Sequence, residues 1–251
     1  DPLWSRGLGD VYKRQVLTDS QQQVKRVISH PELLPACVIL DPLLTRGLPP
    51  ALTAATGMDA LTHHIEAFCS PLYHPMSSAI AVEGMRLVQQ HLRRAVSHGQ
   101  DLDAREGMLV ASAMAAVAFQ KGLGGVHALA HPLGARYHRH HGLLNAVLLP
   151  YVLVANQPVI AEEIGRLARY LDLPRGDFQG FLDWILALRA ELGIPHCLAD
   201  IGLDSHEAEW VGAQALADIS SSDTNARPLS AADYSQIFRN AVHGVLPGAR
   251  P

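Results

Sequence analysis

Four side chains in this sequence have the types and the spacing to hold one metal ion: Asp59 and His63 in GMDALTHHIEAF, and His127 and His141 in GGVHALAHPLGARYHRHHG. A spacing of i, i+4 puts Asp59 and His63 on one face of a helix, a turn apart, where both reach the same cation. His127 and His141 supply the second half-site, with His131 one turn beyond His127. His140 competes with His141, because that segment need not be helical. Three imidazoles and one carboxylate suit a borderline divalent ion such as Fe(II) or Zn(II) and leave positions for substrate. The pattern predicts a metal-dependent catalyst. His64 turns about 100° away from the face shared by Asp59 and His63. It reads as filler, as do His30, His74, His91, His98, His138, His196, His206 and His243.

Positioning these groups falls to helices. Prolines and glycines punctuate expected helices over 50–68, 76–97, 102–120, 124–136, 142–155, 158–171, 178–192, 205–217 and 230–243. Phe181, Leu182, Trp184, Ile185, Leu188 and Leu192 form one apolar stripe at helical spacing, an ordinary core face. Two short β-prone runs, Val24–Ile28 and Cys37–Leu40, precede the helices and are separated by the helix-breaking HPELLPA. The fold expected is therefore mainly α, a bundle of about nine helices preceded by two short β-strands. Residues 1–15, DPLWSRGLGDVYKRQ, show no period and no continuity with the residues after them. They read as a leader of the kind a vector or fusion junction leaves.

At 251 residues with 48% apolar residues the chain can bury a substantial core. A net charge of −4 and scattered Lys and Arg give no stripe that would track a phosphate backbone, so nucleic acid is not an expected partner. Cys37, Cys69 and Cys197 match neither a zinc ribbon nor a disulfide framework, which suits a reducing cytoplasm. The longest apolar run, Met108–Phe119, falls short of the roughly 20 residues of a membrane span and reads as a buried helix. No charged-then-apolar leader opens the chain, so no secretory signal is expected.

With ligands and flanks laid out, the chain resembles the iron-containing (group III) alcohol dehydrogenase family. The matching stretches are LDPLLTRGLPPALTAATGMDALTHHIEAF, AFQKGLGGVHALAHPLGARYHRHHGLLNAVLLPYVL and DTNARPLS, running with family-like spacing from about Val16 to His243. The resemblance implies a two-domain enzyme in which a dinucleotide-binding α/β domain precedes an all-helical metal-binding domain, of the dehydroquinate synthase-like type. Residues 16–48 would then be a remnant of the first domain and 49–251 the second. It implies Asp59, His63, His127 and His141 as metal ligands, favouring the histidine just before the glycine over His140. It places His131 beside nicotinamide and alcohol as the catalytic residue, and Lys25 and the loop around Thr45 and Leu48 along the cofactor.

The cofactors implied are Fe2+ or Zn2+ and, for the complete enzyme, NAD(P). Hydride would pass from a small alcohol to the nicotinamide, with the metal polarising the alcohol oxygen, and the reverse reaction would reduce an aldehyde. Phe68, Phe119 and Tyr137 would line the pocket, and a homodimer or higher homo-oligomer is expected. The family's Gly-Gly-Gly-Ser pyrophosphate loop and its Thr-rich segment are not found in this sequence. Two other functions fit the residues themselves. A metal-assisted hydrolase or lyase is one, although HExxH is absent; an inactive metal-binding helical fragment is the other.

Overall fold

The computed structural model describes residues 14–19, 24–29 and 35–247. Two strands, β1 (Arg14–Asp19) and β2 (Val24–Ser29), pair antiparallel with Val16 opposite Val27 and Thr18 opposite Lys25. Among the described residues nine helices follow: α1 (Pro50–Cys69), α2 (Pro75–Ser97), α3 (Leu102–Ala118), α4 (Gly125–Tyr137), α5 (His141–Tyr170), α6 (Phe178–Glu191), α7 (Ala208–Ala217), α8 (Ile219–Ser222) and α9 (Ala231–His243). Of the residues assigned to the leader, only Arg14 and Gln15 lie within the described segments, and they open β1. The expected strand at Cys37–Leu40 does not form. These residues lead into a single 3-10 turn (Pro42–Thr45) capped by Asp41, and among the described residues no strand lies alongside to complete a ladder. β-propensity without a partner leaves an exposed segment, with Ile39 84% and Leu44 80% accessible.

Caps fix the helix ends where the sequence punctuation placed them. His74 accepts from Ser77 N and Asp101 from Ala104 N, while Ser230 and Asp233 form a reciprocal capping box on α9. The expected break near residue 156 is absent, and α5 runs unbroken for 30 residues through Pro150 and Pro158. Each proline removes one rung of the helical ladder. Side chains from elsewhere meet the carbonyls next to those gaps: Arg189 donates to Val147 O at 2.9 Å and Arg227 to Ala155 O at 3.0 Å. Alone among the described helices, α5 is long and apolar enough to cross a membrane, but its apolar window is 67% buried inside the bundle. It serves as the core helix, burying Leu144, Val147, Leu148, Ile160 and Ile164.

The stripe on α6 is buried as expected, from Phe181 to Leu192. His64 is fully buried, its ring against Gly84 of α2 and its Nε2 2.9 Å from Ala111 O of α3, which ties three helices together. Arg105, also buried, donates to Thr53 Oγ1, Leu48 O and Gly99 O and so fastens the turn ahead of α1 to α3.

Candidate metal centre

Three helix segments converge on one point. Asp59 and His63 lie a turn apart on α1, His127 lies in the first turn of α4, and His141 is the first residue of α5. The start of α5 presses directly on α1: a Cβ on Gly142 would sit 2.4 Å from Ala55 O and 3.2 Å from Asp59 Cβ. Only glycine permits that approach. Asp59 Oδ1 lies 3.8 Å from Nε2 of both His127 and His141. Ligating atoms of Asp59, His63 and His127 fall within 4.8 Å of one another. Ligands held at about 2.1 Å in a tetrahedron stand roughly 3.4 Å apart, so the pocket needs only small adjustments to close on an ion. His127 is 1% exposed, whereas the side chains of Asp59 and His141 are 20% and 35% exposed, which leaves the cluster sealed behind and open in front.

The protonation states suit a cation. Burial opposes ionisation of Asp59, yet His63, His141, His127 and the Asn145 amide together hold its carboxyl well below the usual range. Burial pushes the His63 imidazole down to about 4 against the pull of Asp59, and pushes His141 well below its ordinary value. A carboxylate therefore faces unprotonated His63 and His141 imidazoles at neutral pH. His127 is the exception. Burial acts to lower it, but the hydrogen bond and charge of Glu66 prevail and raise it, so an ion competes with a proton at that ring.

Four residues that the motif reading passed over complete the surroundings. Glu66 accepts from His127 Nδ1 at 2.6 Å. It lies seven residues after Asp59 and three after His63, a helical-face signal the sequence did carry. Asn145, four residues after His141, brings its Nδ2 to 2.6 Å from Asp59 Oδ1 and 3.1 Å from Nε2 of both His127 and His141. Asp218 takes a hydrogen bond from His131 Nδ1 at 2.7 Å, and nothing local in the sequence foretells that pairing. Burial acts to raise the Asp218 carboxyl, but the His131 bond and charge hold it low. Asn225, of the TNAR motif, accepts from Gly125 N and exchanges a reciprocal amide pair with Asn156 of α5.

His131 joins the cluster, its ring stacked 5.4 Å from that of His141 and edge-on 5.7 Å from that of His127. His140, the competitor of His141, is used otherwise, as the cap accepting from Leu143 N. Phe119 stands beside His63 with ring centroids 5.1 Å apart. Tyr137 instead commits its hydroxyl to Glu207, and Phe68 packs against the core. Thr45 and Leu48 make their polar contacts within the turn ahead of α1 and with Arg105. Lys25 occupies β2. A cavity of about 20 Å3, large enough for one water, lies behind Glu66 between Asn156 and Asn225.

Residues 53–242 match the family described as "Fe-containing alcohol dehydrogenase family, C-terminal". The chain is 42% identical over 219 residues to a 4-hydroxybutyrate dehydrogenase of Cupriavidus necator, covering 84% of this chain and 56% of that protein. It is 39% identical over 240 residues to a 1,3-propanediol dehydrogenase of Citrobacter freundii, covering 92% and 62%. Its fold superposes on the crystal structure of a 1,3-propanediol oxidoreductase with a TM-score of 0.87 at 38% identity, over 92% of this chain and 62% of that one. The chain thus spans little more than half the length of the relatives it matches. It belongs to the Fe-containing alcohol dehydrogenase family, whose C-terminal helical part it comprises.

Proposed function

We propose that this chain is the metal-binding, catalytic half of an NAD(P)-linked alcohol dehydrogenase or aldehyde reductase, with Asp59, His63, His127 and His141 holding one Fe2+ or Zn2+. The observation that carries the reading is the convergence of one carboxylate and three buried or half-buried imidazoles from α1, α4 and α5 on a single point open to solvent on one side. When bound, the ion supplies Lewis acidity toward an alcohol or carbonyl oxygen, and NAD(P) supplies the hydride carrier. The chain's own residues supply the rest. Asp218 fixes Nδ1 of His131 as a donor, which leaves Nε2 to accept the hydroxyl proton and pass it outward. Phe119 walls the His63 side with an apolar ring, in keeping with a small alcohol or aldehyde. Lys25, Thr45 and Leu48 are assigned to the cofactor side by resemblance. A cytoplasmic location fits the cysteine usage, a homo-oligomer is carried over from the family resemblance, and a small alcohol or hydroxy acid as substrate fits the names of the relatives.

Metal content and NAD(H) binding test the proposal, measured on the chain reconstituted anaerobically with Fe(II) and separately with Zn(II). One metal per chain is expected. NAD(H) binding with alcohol oxidation would extend the reading to an active enzyme, whereas metal without NAD(H) would mark an intact metal half that is silent alone. No stoichiometric metal under either condition would overturn the assignment.

A further inference from the structure

We infer that Glu66 is the positioning residue of this centre: its carboxylate aims the His127 imidazole and docks the start of α4 on α1, so that ligands from two helices meet in register. The inference rests on the metal-site reading above. Glu66 is 6% exposed, and among the described residues no Lys or Arg forms a salt bridge with it. A buried carboxylate is costly unless donors converge on it. Here three do. Oε2 accepts from Gly124 N at 2.9 Å and from His127 Nδ1 at 2.6 Å, and Oε1 accepts from Val126 N at 2.6 Å. The two backbone groups are otherwise unserved N–H groups at the start of α4, where a negative charge is favoured. A Cβ on Gly124 would lie 2.9 Å from Glu66 Oε1, so a side chain there would push the carboxylate off its donors.

The shared oxygen links helix docking to metal chemistry. With Nδ1 committed to Glu66, the His127 ring presents Nε2 toward Asp59 Oδ1, 3.8 Å away, and toward Asn145. A carboxylate on the far nitrogen also makes an imidazole a more basic ligand. Asn225 provides an internal control. It serves Gly125 N at 2.9 Å, the middle group of the same helix start, and makes no hydrogen bond to His127.

The deciding experiment compares wild type, E66Q and N225A for Zn(II) and Co(II) affinity by chelator competition, at a temperature where all are folded. The Co(II) visible spectrum and metal-free melting are recorded alongside. Both variants should melt lower without metal. Only E66Q should lose affinity, by about 10–100-fold, with an altered Co(II) spectrum, while N225A stays within about twofold of wild type. Should E66Q bind as tightly as wild type, or N225A lose as much as E66Q, Glu66 merely caps a helix and the inference is overturned. If E66Q fails to fold, nitrogen-15 histidine spectra of the zinc-loaded wild type decide. A slowly exchanging proton on His127 Nδ1 is expected, and its absence would refute the positioning role. A wild-type chain that takes up no metal is a different failure, one that removes the metal site itself and Glu66's role with it.

Discussion

Adjacent histidines on α1 do opposite work, and that contrast gives the sharpest test at the residue scale. His63 faces Asp59 and His127, whereas His64, one residue on, turns into the bundle and bonds Ala111 O. Replacing His127 or His141 by alanine should abolish stoichiometric metal uptake, because each removal leaves an incomplete donor set around Asp59. His64→Ala should keep the metal and instead lower folding stability by about 2–4 kcal/mol, as for other large-to-small changes at sealed positions. Metal analysis beside chemical denaturation of the three variants separates the two roles. Loss of metal from His64→Ala with retention in the other two would mean the site is drawn on the wrong face of α1. The four proposed ligands were named from spacing and family likeness together: i, i+4 geometry is local and pairs Asp59 with His63, while the likeness supported His127 and His141. The Asp218 partner of His131 was not legible, since 87 residues separate the two and only the folded chain brings them to 2.7 Å.

Helices, too, divide into what local chemistry announces and what distant contacts decide. Proline at the first positions of α1 and α2, and the Ser230 box on α9, mark real starts, so the sequence placed most boundaries within a residue or two. Pro158 carried the same kind of signal and was misleading. The carbonyl beside its gap is met by Arg227, 72 residues away, so α5 continues where local rules would stop it. Arg227→Ala should therefore cost about 1–2 kcal/mol by denaturant titration, with the loss felt around residues 154–158 in amide exchange and metal affinity unaltered. A broad, unlocalised loss of protection would argue against that role. The α1–α5 crossing makes a second prediction. Gly142→Ala drives a methyl group into Ala55 O, so it should destabilise by about 1–3 kcal/mol and, unlike Arg227→Ala, weaken metal binding, because the separation it forces falls between Asp59 and His141. Unchanged metal affinity in a measurably destabilised Gly142→Ala chain would show that the helix spacing there tolerates a shift.

Across the whole molecule, the centre ties together helices that the chain reaches far apart: α1 at Asp59, α4 at His127 and α5 at His141. An ion held by all three binds the folded chain, while the unfolded chain keeps only the local Asp59–His63 pair and holds it weakly. Binding to the native state alone adds stability by mass action, about 2.7 kcal/mol when free metal is 100-fold above its dissociation constant. In a chain of 251 residues, each kcal/mol moves the melting temperature by about 2–4 °C. Saturating Zn(II) should therefore raise the melting temperature by roughly 5–10 °C, and a chelator should return it to the starting value. His141→Ala provides the control that gives the shift its meaning. The chain carries 14 histidines, several of them exposed, and scattered surface binding would stabilise wild type and variant alike. A shift confined to wild type requires that α5 be joined to α1 through the ion. Equal shifts in both would place the metal elsewhere on the surface and leave the cluster of Asp59, His63, His127 and His141 without a demonstrated ligand.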